Sequence, residues 1–438
     1  MAADHENPYA KVKGLRLLAG LSGDFYVVWQ DYRNGSKNSD IYMQKYNALG
    51  VALWRPGGIP ICLSDGDQDR PMMLEDGVGG VIVAWIDRRN GCDDNIYAQR
   101  IDDSGKSLWR KSGVKVCDAK GDQSSLHGVS DSKEGVVLCW VDARSVAETG
   151  FDLYIQRLGY DGEPLWQENG KPFAKFPGLQ TSPSLAEDGK GGAYVAWMDS
   201  RGGNSNIYVQ HMNEFGLYDW EYGGRCLVHS AVNQRHPEII RNFEDDLYIV
   251  WQEGRFGDGY EKLFMQCITP AGQRLWDYGG TQVCKYPGRQ SKPLMLGDAA
   301  GNFWMSWLDE RAQNRLGVQL IAQKFNIGGD PQWQSDGVWV GENLEEWNDF
   351  EIALNKRGYM YLAWNQKVAS GNKNVFYQKI HPSGDKKFDY SGIRLGDEDE
   401  NQLSPVIAVN PDGKGLVCWI QHDPELKKYG IRATFVKE

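Results

Sequence analysis

The sequence predicts an all-β protein, a single eight-bladed β-propeller of four-stranded antiparallel blades. It spans residues 1–438, with the ring closed by the N-terminal segment pairing in the last blade. Three observations predict it. An apolar run ending in tryptophan recurs eight times at nearly constant spacing. Each repeat carries four apolar runs of strand length. The two ends of the chain each hold part of one repeat.

The first landmark reads VVWQDYR, VAWIDRR, LCWVDAR, VAWMDSR, IVWQEGR, MSWLDER, LAWNQKV and VCWIQHD. Its tryptophans are Trp29, Trp85, Trp140, Trp197, Trp251, Trp307, Trp364 and Trp419, spaced by 54 to 57 residues. The second landmark is a strand of the type IYxQ, with Gln44, Gln99, Gln156, Gln210, Gln266, Gln323 and Gln378; Thr434 stands there in the last repeat. A second aromatic follows: Trp54, Trp109, Trp166, Trp220, Trp276, Trp333 or Phe388. Glutamine to second aromatic is always 10 residues, and second aromatic to the next core tryptophan is always 31. Only the tryptophan-to-glutamine distance varies, from 13 to 16. All changes in repeat length therefore fall in the loop between the second and third strands.

The second repeat shows the strands: PMML, VIVAW, NIYAQRI and VKVC. Asp76-Gly77-Val78-Gly79-Gly80 between the first two suits a tight hairpin, because aspartate and glycine tolerate positive φ and cap turn N–H groups. A blade cannot bury both faces alone, so neighbouring blades must complete the core, and the indoles are the filling. After Thr434 only four residues remain, so the last repeat lacks its outer strand. The segment HENPYAKV, before the first repeat's inner strand, is expected to supply it and to remove an exposed edge.

Composition narrows the function. The net charge of −11 repels a phosphate backbone, which excludes nucleic acid as the expected partner. No apolar run reaches bilayer-spanning length, so no membrane insertion is expected. The eight cysteines show no CxxC or Cys/His ligand spacing. Cys62, Cys117 and Cys284 share one position in fourth strands, and Cys139 and Cys418 precede core tryptophans; these read as reduced, buried fillers.

The combined pattern GGxxVC, GxQxxP, DGxGGxxVAWxDxRxGxxDIYxQ and GxxLW resembles tandem repeats of large secreted and surface proteins of bacteria. The resemblance implies export and an interaction role, and carries over no catalytic residues. Repeats seven and eight depart from DxR, reading Asn365-Gln366-Lys367 and Ile420-Gln421-His422. The sialidase-type Asp-box is absent.

The recurring DxR pairs, such as Asp87/Arg89 and Asp142/Arg144, read as turn-bracing ion pairs, because six copies of a fold constraint are needed and six catalytic pairs are not. The IYxQ glutamines read as structural for the same reason. A further glutamine, three residues before a proline in all but Gln123, lies in the connection from one blade to the next: Gln68, Gln123, Gln180, Gln234, Gln290 and Gln402. This connection should stand at the channel mouth, where these residues either cap the inner strands or contact a ligand. Repeat seven has Trp347 in that slot, and Arg235, His236, Arg289 and Lys292 make the ring uneven. The candidate ligand-binding residues are Trp347, the six glutamines, Arg235, His236 and Arg289. An aromatic at a channel mouth stacks on a sugar or anchors a protein, although a tryptophan packed under its own loop has the same sequence.

Two acidic runs, Asp65/Asp67/Asp69 and Asp397 to Glu400, are the candidates for calcium. Neither completes an EF-hand loop, so no cofactor is expected. No GxSxG, HExxH or P-loop pattern is present. The expected function is a non-catalytic binding scaffold, extracytoplasmic, recognising a protein or glycan partner through the variable loops and channel mouth of one face. The alternatives are a glycan-active propeller, as lectin or glycoside hydrolase, and a structural part of a surface assembly.

Overall fold

The computed structural model describes residues 12–35, 38–255, 260–311, 317–344, 349–389, 392–396, 400–423 and 428–436. The fold class is the expected one. Among the described residues every regular element is a strand, and the strands form eight antiparallel blades of a β-propeller. Strand order within each sheet follows the chain. Blade 4 is typical, with strands Gln180–Glu187, Ala193–Gly202, Asn204–Met212 and Arg225–Cys226. Blade 8 has three described strands, Asn401–Val409, Gly415–Asp423 and Lys428–Val436. Of the segment expected to complete it, only Val12 is described; it begins blade 1's first strand, and residues 5–11 lie outside the described residues. No described helix is long and apolar enough to cross a membrane.

The chain groups into two compact units, residues 1–116 with 341–438, and residues 117–340. The first holds blades 1, 2, 7 and 8, and there the last blade packs on the first. Asn410 Nδ2 donates to the Gly23 carbonyl at 2.8 Å, and Phe435 meets Phe25 edge-on at 5.7 Å. The second unit holds blades 3 to 6.

The same packing logic runs through both units. Second strands are buried along their length, as Val136–Asp142 shows, because the sheet is covered on both faces. Within each unit the core tryptophans fill the gap to the preceding blade: Trp85 packs with Tyr26, Val28, Ile41 and Met43 of blade 1, and Trp251 with blade 4. Burying an indole of about 200 Å² contributes about 5 kcal/mol. The glycine beginning each outer strand is required for this. Gly113 has φ +90, and a Cβ there would stand 2.5 Å from the Trp85 ring.

The two repeated motifs now have physical roles. Every core indole N–H donates, two residues on, to Asp31, Asp87, Asp142, Asp199, Glu253, Asp309, Gln366 or Gln421, at 2.7 to 3.1 Å. In blade 3, Arg144 grips Asp142 through Nε at 2.8 Å and Nη2 at 2.7 Å, donates to the Asn169 carbonyl at 2.8 Å, and lies 3.8 Å over the Tyr154 ring. The departures in repeats seven and eight follow from this chemistry. Gln366 and Gln421 accept the indole proton as neutral amides, so no arginine is needed to balance a buried charge. The IYxQ glutamine explains the constant distance of 10 residues. Gln156 Oε1 accepts from the Arg157 and Trp166 N–H groups, and its Nε2 donates to the Gln167 carbonyl, tying the third strand to the turn after it.

Candidate functional site

The segment between blades is where the sequence points, and it places its residues unequally. Gln68, Gln123, Gln180, Gln234, Gln290 and Gln402 are all fully buried. Gln68 and Gln123 donate to carbonyls of their own connection. Gln234 and Gln402 accept from the backbone N–H of Ile207 and Val375 in the preceding blade, at 2.8 and 2.7 Å. Gln180 accepts from Phe176 N–H, and Gln290 donates to the Tyr286 carbonyl. These six residues are corrected from ligand-binding candidates to strand caps: a fully buried amide cannot meet a ligand arriving from solvent. Trp347 lies outside the described residues.

Two residues after each of these glutamines the chain does something that sequence reading missed. Arg70, Ser125, Ser182, His236, Lys292 and Ser404 all have φ between 48° and 53°, and Gly14 takes the same place in blade 1 at 58°. Each sits where the first strand slips register against the second, a β-bulge. A side chain in this left-handed region costs about 1–2 kcal/mol, and bulges re-aim side chains next to binding sites. Three blades have serine there, the smallest of the side chains present, and one has glycine, which alone escapes the Cβ clash. Arg70, His236 and Lys292 keep large basic or imidazole groups in spite of the strain.

Two of these three fall in adjacent blades of the second unit, with Arg235 and Arg289. Arg289 lies 3.6 Å from Glu261 and 3.5 Å from Glu310, and Arg235 lies 3.4 Å from the same Glu261. His236 titrates below its ordinary range. Partial burial is the largest cause; Glu261 opposes it, and Arg235, Arg289 and Lys292 reinforce it. The imidazole is therefore held toward its neutral form. Further along the same strand, Glu238 accepts from Ser184 Oγ at 3.1 Å, and burial pushes its carboxyl up to about 7 despite that bond. Glu238, Glu261 and Glu310 carried no motif. Only their distance from the QxxP glutamines or the tryptophans could have flagged them.

The remaining candidates have local roles. Asp67 Oδ1 accepts from the Ser39 N–H at 3.0 Å and hydroxyl at 2.9 Å, and Asp69 lies 3.6 Å from Arg70. Asp397 to Asp399 lie outside the described residues, and Glu400 accepts from Gln421. Among the described residues no group of three or more metal-binding side chains converges.

No protein-family model matches the chain, and no curated protein does. Solved structures do. A polysaccharide lyase of family PL25, an ulvan lyase bound to -[GlcA(1-4)Rha3S]-, is 10% identical, with TM-score 0.51 over 98% of this chain and 94% of that one. A thermostable family-43 glycoside hydrolase is 14% identical, with TM-score 0.32 over 59% and 90%. An α-L-arabinofuranosidase from Fusarium graminearum is 13% identical, with TM-score 0.40 over 72% and 93%. At these identities the likeness concerns the fold alone.

Proposed function

We propose that this chain is a glycan-binding propeller whose blades 5 and 6 take an acidic polysaccharide, one bearing carboxylate or sulfate groups. The observation that carries the reading is that Arg235 of blade 5 and Arg289 of blade 6 meet at Glu261, with His236 and Lys292 beside them in sequence on strained bulges. Cations at fixed spacing suit planar or tetrahedral oxyanions along a sugar chain, and arginine does so bidentately. The net charge of −11 confines attraction for such a chain to a local cluster of this kind. The similar lyase was solved with a sugar carrying a glucuronate and a sulfate, which supports the glycan reading over the protein-interaction scaffold. This reading carries with it the expectation of an exported or surface protein.

The test is affinity electrophoresis and calorimetry with uronate-rich and sulfated polysaccharides, against neutral glucans as controls. Retention by acidic chains only, lost in Arg289→Ala and Lys292→Gly, is the expected result. Equal retention by neutral chains, or by the two variants, overturns the reading. Ultraviolet absorbance from unsaturated uronates, monitored alongside, reports whether binding leads to elimination, with neutral His236 as the group able to accept the proton.

A further inference from the structure

The outer seam between blades 4 and 5 is filled differently from its neighbour. Both blades lie in the second unit, residues 117–340. The core between them is apolar, with Val209, Trp220, Leu227 and Ile268 buried in one cluster. A cavity of about 170 Å³ opens on that cluster, and Arg225, Cys226, Gly272 and Arg274 complete its wall. Arg225 and Cys226 form blade 4's outer strand. Gly272 and Arg274 belong to the turn leading into blade 5's outer strand, and Arg274 bridges back to Ile268.

The seam between blades 3 and 4 shows what stands in this place one blade earlier. There the residue three places after the glycine that opens the outer strand is Phe173, and the residue bridging the third strand is Tyr218. Their rings pack at 6.2 Å, Phe173 meets Trp197 edge-on at 5.5 Å, and the Tyr218 hydroxyl donates to the Pro172 carbonyl at 2.5 Å. Between blades 4 and 5 the same places hold Leu227 and Arg274. Arg274 is tied to the strand edge, donating to the Leu227 and Cys226 carbonyls at 2.6 and 3.1 Å. An aliphatic side chain and a guanidinium thus replace two aromatic rings.

The charges at the mouth are held by neutral groups. Arg225 donates to the Ala271 carbonyl at 2.6 Å and lies 5.3 Å over the Trp220 ring, and Arg274 lies 4.8 Å over the Tyr278 ring. Among the described residues neither arginine pairs with a carboxylate. Carbonyls and rings orient a guanidinium but leave its charge uncompensated, and each arginine has more N–H donors than these bonds use. The neighbouring seam has one cation, Lys171, in the place of Arg225, and the neutral Tyr218 in the place of Arg274. Burial pushes the Cys226 thiol up to about 11, so it stays protonated and adds a neutral wall.

We propose that this seam binds a small aromatic carboxylate. The ring lies against Val209, Trp220, Leu227 and Ile268, where Phe173 and Tyr218 supply rings one blade earlier. The carboxylate lies between Arg225 and Arg274 at the mouth, where the planar fork of arginine matches its two oxygens. The size agrees, since an apolar cavity of about 150 Å³ holds a benzene ring. This site is built from an outer strand and a turn, and the cluster of Arg235 and Arg289 from first strands, so neither depends on the other's role.

Calorimetry of the full chain at constant ionic strength tests this, with phenylacetate as the probe and acetate and benzyl alcohol as controls. Saturable binding of phenylacetate is expected, at least about tenfold tighter than either control. Arg225→Gln should weaken it at least about tenfold. Leu227→Phe combined with Arg274→Tyr installs the side chains of the neighbouring seam, and should abolish binding while thermal unfolding stays close to that of the parent. Arg289→Ala should leave phenylacetate binding unchanged, so this site and the acidic-polysaccharide cluster are read separately. No saturable binding of phenylacetate overturns the proposal. So does a control that binds as tightly, parental affinity in Arg225→Gln or in the double variant, or an equal loss in Arg289→Ala.

Discussion

Arg144→Val is the sharpest test of how a blade is held together. The substitution leaves the Asp142 carboxylate fully buried, keeping its bonds from the Trp140 indole and the Arg144 backbone but losing both guanidinium bonds. A buried carboxylate stripped of its ion partner costs about 3–5 kcal/mol. The lost stacking over Tyr154 adds about 0.5–2 kcal/mol. Blade 7 shows how the loss is offset: a glutamine stands in the aspartate position and Val368 in the arginine position. Asp142→Gln combined with Arg144→Val should therefore recover at least about half of the single-variant loss, a coupling of about 2 kcal/mol between adjacent sites. Arg144→Lys should fall between, since lysine keeps the charge without the fork. Urea unfolding followed by tryptophan fluorescence reads the parent, Arg144→Val, Asp142→Gln, the double variant and Arg144→Lys. A loss below about 1 kcal/mol in Arg144→Val refutes the buried-clamp account, as does a double variant no more stable than the sum of its singles.

Four further outcomes are expected. Gln156→Leu strands the Trp166 and Arg157 N–H groups and the Gln167 carbonyl, so it should cost about 2–4 kcal/mol in the same unfolding assay. Glu238 is protonated more readily folded, near pH 7, than unfolded, near 4.5, so its contribution is full below about pH 4.5 and is lost as pH rises through about 7; Glu238→Gln should flatten stability over that window, measured by urea midpoints. Lys292→Gly should retain or raise stability by up to about 1 kcal/mol in thermal unfolding, because glycine relieves the positive φ. Cys92 is the exposed thiol, whereas burial pushes Cys62 and Cys418 up to about 12; iodoacetamide on the native protein should label Cys92 first by peptide mass spectrometry, and equal labelling of Cys418 would refute the packing described.

The frame was legible because repetition writes the same physical constraint many times. Constant spacing from Gln156 to Trp166 reported a hydrogen-bonded turn before any coordinate did, and a tryptophan every 54 to 57 residues reported the blades. The candidate site was legible only in part. Arg235, His236, Arg289 and Lys292 stood out because they break a repeat, and the structure brings them together. The glutamines beside them stood out equally and turned out to be buried caps.

What the sequence determined by itself is the count of blades, the strand order and the loop that varies, since each follows from period and polarity along the chain. What only the tertiary structure decided is exposure and pairing across blades. The positive φ of His236 and Lys292, the burial of Gln234 and Gln290, and the pairing of Arg100 with Asp76 all depend on which groups meet after folding. Amino-acid order specifies local bonding. Whether a buried charge finds its partner is settled between strands, where the chain brings Arg100 to Asp76 and Arg157 to Asp131.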